Sequence, residues 1–318
     1  MTALFGLLVL GGLLATVAPR MLARVRWAAR EPVLALLAWQ CLVVAVLLCC
    51  ALALVLATSA ALPPVRDFVF TDAPHGVEAA YGLADAEGWG RLTAALLAAG
   101  GLWTAYSLSR EVRAARALRD RRSAELAHRA PELPAGLTTG KAAGRERLVV
   151  LENVRPEAWS LPGPSSRLVV TTGALQQLTA RELAAVLSHE RGHVRARHHW
   201  LAQSAQALAS GFPGVGVFSA FRDQVGALVE LAADDRAARR HGRITTALAL
   251  VEINSGRGVF GGACAPQHLA ETPQRVDRLL TGEPRLPVHH RLRLTVAALA
   301  APAAAVLLAA APGLASLV

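Results

Sequence analysis

Cysteine is scarce in this chain. Of 318 residues only Cys41, Cys49, Cys50 and Cys264 carry a thiol, and the first three share one apolar run. Thiols in such a run behave as small hydrophobes, so neither a disulfide framework nor a cysteine-based metal site fits. No sustained repeat exists beyond alanine and leucine enrichment. The net charge is +10, yet no recognition motif accompanies it, and direct nucleic-acid binding is not expected. An S-x-x-K acylation module is missing as well. No basic stretch precedes the first apolar run, and its arginines follow it. That order argues against a cleaved signal peptide and for a retained span.

What the chain does have is hydrophobicity: 53% of residues are hydrophobic and the mean hydropathy is +0.38. An ordinary soluble domain is less apolar. Four runs stand out, at about 2–18, 33–62, 92–108 and 294–318. Roughly 20 apolar residues cross a bilayer core, so the chain reads as a multi-span membrane protein whose first partner is the lipid bilayer. The second run is long enough to tilt or protrude. The fourth is alanine-rich and interrupted by Pro302 and Pro312, which leaves a buried soluble helix as its alternative.

Loop charges orient the spans. Arg20, Arg24, Arg26 and Arg30 follow the first run. Asp67, Asp72, Glu78, Asp85 and Glu87 outnumber Arg66 and Arg91 between the second and third. Arg110, Arg113, Arg116, Arg119, Arg121 and Arg122 follow the third, and Arg291 and Arg293 precede the fourth. The positive-inside rule then makes the first loop and residues 109–293 cytoplasmic, with both termini outside the cell membrane. Arginines beside spans suit anionic headgroups, which accounts for the net charge.

Chemistry concentrates at His189-Glu190-Arg191-Gly192-His193. Two imidazoles four apart share one helix face, with a carboxylate beside the first, as in the H-E-x-x-H motif of zinc hydrolases. Thr179-Ala180-Arg181-Glu182 reads as a capping box, with Leu178 and Leu183 as a hydrophobic staple. Leu183, Val186 and Leu187 then form an apolar stripe, so the motif sits inside a well-started helix. The plainer alternative is a pair of surface histidines on a basic helix, since His198 and His199 follow.

A catalytic zinc takes three protein ligands and keeps one position open. Downstream, Glu230 and Asp234 again share a helix face, on an alanine-rich stretch ending near Gly242, a suitable C′ residue. Glu230 is the expected third ligand. Asp234 is expected to accept the distal N–H of a ligating imidazole and fix its tautomer. Asp235, rotated about 100° away, is expected to be solvated.

His189-Glu190-x-x-His193 followed by Glu230-x-x-x-Asp234 resembles the membrane-embedded Glu-zincin metallopeptidases. Ser160-Leu161-Pro162-Gly163, the run Leu168 to Leu175, and Leu178-Thr179-x-x-Glu182-Leu183 are also similar to that family. There the first part is an edge strand over the cleft leading into the metal helix. Thr272-Pro273-Gln274-Arg275-Val276-x-Arg278-Leu279 resembles a later helix start that carries an arginine. The likeness spans about residues 145–281.

The expected fold class is mainly α, with a compact cytoplasmic zincin-like α+β metallopeptidase domain. Residues 1–108 hold three spans and their loops. Residues 109–145 form a basic, helix-prone connector broken by Pro131, Pro134 and Gly136. The peptidase domain covers 146–285, and 286–318 are a basic flank and the fourth span. Within the domain, strands are expected at Arg147–Leu151 and Arg167–Thr171 around Pro162-Gly163-Pro164. A bend is expected at Gly211–Gly216, and a helix at Thr245–Ile253 ended by Asn254-Ser255-Gly256. Gly261-Gly262-Ala263 reads as loop.

The expected chemistry is peptide hydrolysis at a zinc ion held by His189, His193 and Glu230, which makes its water more acidic and polarises the carbonyl. Glu190 takes the water proton and delivers it to the leaving amine. An oxyanion donor is also expected: Arg275 first, then His241 or His289. The strand at Leu168–Thr171 is a candidate for pairing with an extended substrate; its alternative is ordinary sheet pairing, and the two are compatible.

Three spans, a cytoplasmic zincin and a fourth span look like the BlaR/MecR-type regulatory peptidases. That resemblance implies a winged-helix transcriptional repressor as protein substrate. The sequence ends at Val318 after the fourth span, so a penicillin-binding sensor domain is not expected, and any signal enters through spans, the acidic loop or a partner. An HtpX-like or prenyl-protein-type housekeeping peptidase is the alternative, although such proteins usually arrange their spans differently. A non-catalytic zinc-containing membrane signalling protein is a second alternative, against which the intact Glu190 speaks.

Overall fold

The computed structural model describes residues 2–74, 76–83, 87–129, 147–161, 167–255 and 267–317. They divide into two units. Unit 1 comprises Met1–Arg110, Ala205–Gln224 and Leu286–Val318; unit 2 comprises Glu111–Ser204 and Val225–Arg285.

The chain opens with helices α1 (Thr2–Thr16) and α2 (Ala18–Leu22), then a 3-10 turn at Arg26–Ala29. Helix α3 (Pro32–Ala61) starts at a proline, whose missing N–H costs nothing in a first turn. Two short helices, α4 (Pro63–Val69) and α5 (Val77–Ala80), precede α6 (Glu87–Arg129). This 43-residue helix runs past 108 into the segment expected to be a helix-prone basic connector. Arginine and alanine favour helix, and nothing between Leu108 and Arg129 stops it. Pro131, Pro134 and Gly136 lie outside the described residues, as do Pro162-Gly163-Pro164, Gly256, Gly261-Gly262-Ala263 and Cys264.

Strand β1 (Arg147–Leu151), β2 (Ala158–Leu161) and β3 (Arg167–Thr171) come next. They are followed by α7 (Thr172–Gln177), α8 (Ala180–Arg195), α9 (His198–Gly211), α10 (Gly216–His241), α11 (Arg243–Ser255), α12 (Gln267–Thr281) and α13 (Val288–Ala315). Among the described residues four helices are long and apolar enough to cross a membrane: Thr2–Leu22, Pro32–Ala61, Gly88–Leu118 and Val288–Ala315. Pro302 and Pro312 lie inside the last without ending it.

In unit 1, α3 packs against both α1 and α13. Leu4, Leu7, Cys49, Ala53, Leu56, Ala57, Ala94 and Ala305 form its core. Small residues let the backbones approach: a Cβ on Gly11 would meet Cys49 Cβ at 3.1 Å, and one on Gly90 would meet Ala60 Cβ at 3.0 Å. Helix directions alternate. The start of α1 (Gly6) meets Leu308 late in α13, and the start of α6 (Gly90) meets the end of α3. Gly313, near the end of α13, meets Tyr81 and Val77 in the acidic loop. At the opposite end Glu31, just before α3, faces Arg291 in the first turn of α13, with Oε1 to Nε at 3.5 Å.

The segment Ala205–Gln224, inside the range expected for the peptidase domain, clusters with unit 1. Its side chains explain this: Ala205, Ala207, Ala209, Val217, Phe218 and Phe221 are buried. Trp103 also donates its indole N–H to the Gly211 carbonyl. The link Phe212–Val215 falls in the bend expected at Gly211–Gly216.

Unit 2 holds a three-stranded sheet in the order β1-β3-β2. β1 pairs with β3 in parallel, Arg147 opposite Arg167. β2 pairs with β3 antiparallel, Ser160 opposite Leu168. The third strand, β2, was expected only through the family resemblance of Ser160-Leu161. Its presence corrects one expectation: β3 is the central strand with both edges occupied, so Leu168–Thr171 has no free edge for a substrate. Among the described residues the outer edge of β2 pairs with no strand. Leu178, Ala185, Val186, Ala249 and Ile253 join Ala158, Val170 and Ala174 to cover one sheet face. Val149, Leu151, Trp159, Leu161 and Val169 cluster on the other.

Helix α12 also differs from expectation. It does not begin at Thr272-Pro273; it begins at Gln267 and passes through Pro273, giving up one backbone hydrogen bond there.

Candidate metal centre

Helix α8 starts where the sequence places it. Thr179 Oγ1 accepts from the Glu182 amide, and Glu182 Oε2 accepts from the Thr179 amide at 2.8 Å, a complete capping box. Leu178 is buried and Leu183 packs on the same core. A helix anchored this way carries His189 and His193 one turn apart in its C-terminal half.

Helix α10 carries Glu230 and Asp234 and ends before Gly242, whose φ of 89° is left-handed, as a C′ glycine allows. α8 passes close to α10 at Gly192, where a Cβ would sit 3.3 Å from Arg236 Cδ and 3.5 Å from Ala233 Cα.

The three expected ligands converge. His189 Nε2 and His193 Nε2 are 3.1 Å apart. Glu230 Oε2 lies 3.5 Å from His189 Nε2, and Glu230 Oε1 lies 3.5 Å from His193 Nε2. Ligands at about 2.0–2.1 Å in a tetrahedron are separated by about 3.3 Å. The donor set, two imidazoles and a carboxylate, is that of a zinc site with one position open. The residues present therefore fit a divalent metal.

Each ligand is held from behind. His189 Nδ1 faces Asp234 Oδ1 at 3.0 Å. Asp234 in turn accepts from Arg275 on α12, Nε to Oδ2 at 2.8 Å and Nη2 to Oδ1 at 2.7 Å. Arg275 Nη1 reaches Glu230 Oε2 at 3.0 Å. Arg275 thus lies in the cluster, bound to two of its carboxylates. His241 closes α10, about 16 Å along the helix axis from Glu230. His289 belongs to unit 1 and the cluster to unit 2.

Two further residues belong to the site. His198, at the start of α9, is buried, and its Nδ1 is 3.1 Å from His193 Nδ1. Only its closeness in sequence to His193 hinted at this. Ser160 on β2 donates both its hydroxyl and its backbone N–H to the Glu190 carboxylate. This ties Glu190 to β2. Asp235, expected in solvent, is half-buried and accepts from Arg278 Nη2 at 2.7 Å, because α12 lays an arginine against it.

The electrostatics are those of a cation site. Burial disfavours a charged His189, but hydrogen bonds to Asp234 and Glu230 and their charges overrule it and raise its pKa to about 10. Burial, with His189 positive beside it, pushes His193 down to about 3. Burial opposes ionisation of Glu230, yet His189, His193 and Arg275 hold it well below the usual carboxylate range. Asp234 is likewise buried, and hydrogen bonds from Arg275 and His189 hold it down. Burial raises Glu190, with Glu230 adding to the rise and His189 and Ser160 opposing it. The pocket so stabilises one positive centre between Glu230 and the imidazoles. A divalent ion with neutral imidazoles meets the same demand.

Residues 120–256 match the model of Peptidase family M48. No curated protein and no solved structure matches the chain. The matched span holds His189, Glu190, His193, Glu230 and Asp234 and stops short of Arg275. The region around this centre is thus similar to the zincin-type metallopeptidases of that family.

Proposed function

We propose that this chain is a membrane-embedded zinc endopeptidase that hydrolyses peptide bonds on the cytoplasmic face, in regulated proteolysis of a transcriptional repressor. The observation that carries the chemistry is the convergence of His189 Nε2, His193 Nε2 and Glu230, with Glu190 beside them tied to Ser160 on β2. A zinc ion held there supplies Lewis acidity to water and to the scissile carbonyl. Glu190 takes the water proton and passes it to the leaving amine, a role favoured by its raised pKa. Asp234 fixes the tautomer of His189. Arg275 aligns both carboxylates and is the candidate donor for a developing oxyanion.

The alternating helices of unit 1 support the membrane arrangement. Arg20, Arg24, Arg26, Arg30 and Arg291 gather toward the Glu31 end, and the acidic loop lies at the other. By the positive-inside rule the arginine end is cytoplasmic and both termini are outside. Three candidate spans before the centre and one after it favour the BlaR/MecR-type regulatory reading. The family likeness is described by peptidase chemistry alone, and so also accommodates an HtpX-like or prenyl-protein-type housekeeping enzyme.

Glu190→Gln decides the chemistry and separates these roles. The variant should keep its zinc and lose hydrolysis by about 100-fold or more; retained cleavage removes Glu190 as the base. In whole-cell proteomics against wild type, accumulation of one winged-helix repressor supports regulation, and accumulation of many membrane proteins supports housekeeping. Glu230→Ala should empty the centre in metal analysis. Labelling that puts unit 2 outside the cell ends the repressor role.

A further inference from the structure

If Nε2 of both imidazoles holds the metal, each ring keeps its proton on Nδ1. The two Nδ1 atoms meet different partners. That of His189 faces the Asp234 carboxylate at 3.0 Å. That of His193 faces another imidazole nitrogen, His198 Nδ1, at 3.1 Å. Two ring nitrogens this close share one proton. With the proton on His193, His198 accepts through a bare Nδ1 and keeps its own proton on Nε2.

The backbone makes a special provision for this contact. Helix α8 ends at Arg195 and α9 begins at His198. Between them Arg197 takes a φ of 53°, among the described residues the only left-handed position not held by glycine. Side chains rarely adopt that conformation. The reversal brings His198 back over His193, with ring centroids 5.0 Å apart and the rings edge to face. It also buries His198 to 7% exposure.

We infer that His198 is a positioning residue for the metal centre: it accepts the Nδ1 proton of His193, fixes that ring's tautomer and aim, and does so without adding charge. The inference rests on the ligand set proposed above. Its neutrality matters because Glu190, Glu230 and Asp234 already supply three negative charges. Arg275 and a divalent ion balance them. A carboxylate at position 198 would leave the centre negative.

The test uses the full chain purified in detergent, with Zn2+ and Co2+ as probes. Wild type, H198A, H198N and H193A are compared. Zinc affinity is read by competition with a chromophoric chelator, and geometry by the visible spectrum of the Co2+ form. H198A should bind Zn2+ 10- to 100-fold more weakly and shift the Co2+ bands, the range seen when an outer partner of a ligating histidine is lost. H198N, whose side-chain carbonyl accepts the same N–H, should recover most of both. An H198A protein with wild-type affinity and spectrum overturns the positioning role alone, as does an H198N protein that binds as weakly as H198A. If H198A does not fold, H198N decides: near wild-type affinity supports the role and a loss above 10-fold overturns it. A wild type that binds no better than H193A removes the ligand set and the positioning role together.

Discussion

In unit 1 the deepest positions are nearly all apolar, Leu7, Trp39, Ala53 and Ala57 among them, with Ser59 the polar exception; in unit 2 they include Val169 and Val170 but also Thr171 and Asp234, with Arg275 nearly as deep. The first set fits by shape alone. Its helices are apolar on every side, and small residues set how closely they approach. The second set holds charge in low dielectric, where each group depends on its partner. An apolar bundle tolerates many residues at one position. A buried network of one arginine, two carboxylates and three imidazoles tolerates few. The difference predicts how each unit fails.

The largest expected effect is at Arg275. Arg275→Ala leaves Asp234 and Glu230 buried without their cation and should destabilise unit 2 by about 3–5 kcal/mol. Hydrogen exchange of unit 2 amides measures it; a change below about 1 kcal/mol would mean the network is more hydrated than its burial indicates. Thr171→Val comes next. Thr171 Oγ1 donates to the Arg155 carbonyl and accepts from the amides of Glu157 and Ala174. Valine keeps the shape and orphans these groups, at about 2 kcal/mol by the same measurement.

In unit 1, Leu7→Ala should cost less than a leucine truncation in a water-soluble core. If the bundle lies in lipid, the removed methyls lose no transfer energy, and only the cavity term remains, about 1–2 kcal/mol. Unfolding in detergent, referred to wild type, reads it. A loss of about 4 kcal/mol would indicate a core facing water. Smallest is Ser59→Ala. Ser59 Oγ is buried with no hydrogen-bond partner among the described residues, so its removal should be neutral or stabilising by up to about 1 kcal/mol. A clear loss in the same assay would reveal a partner for the hydroxyl.

Local signals were legible in the sequence, and non-local ones only in part. The capping box at Thr179 and Glu182, the strands Arg147–Leu151 and Arg167–Thr171, and the close of α10 before Gly242 depend on residues within a few positions of each other. Helical spacing put His189 with His193 on one face and Glu230 with Asp234 on another; that the two faces meet was readable only from the zinc motif and the family resemblance. Strand order was not. That β1 and β2 both flank β3 depends on pairing between distant segments, so at Leu168–Thr171 ordinary sheet pairing holds and a free edge for substrate does not. Asp235 was misread for the same reason: its partner Arg278 lies 43 residues away. His198 was missed because the turn that returns it to His193 rests on Arg197 in a left-handed conformation, for which an arginine gives no signal.

The two middle positions of an H-E-x-x-H motif are usually treated as free. Here the second of them lies close against the neighbouring helix: a Cβ at Gly192 would sit 3.3 Å from Arg236 Cδ and 3.5 Å from Ala233 Cα. An alanine would therefore fit once the flexible arginine side chain gives by a few tenths of an ångström. A branched or longer side chain would reach past ordinary contact, so bulk at this position bears on the helix that carries Glu230 before its chemistry does.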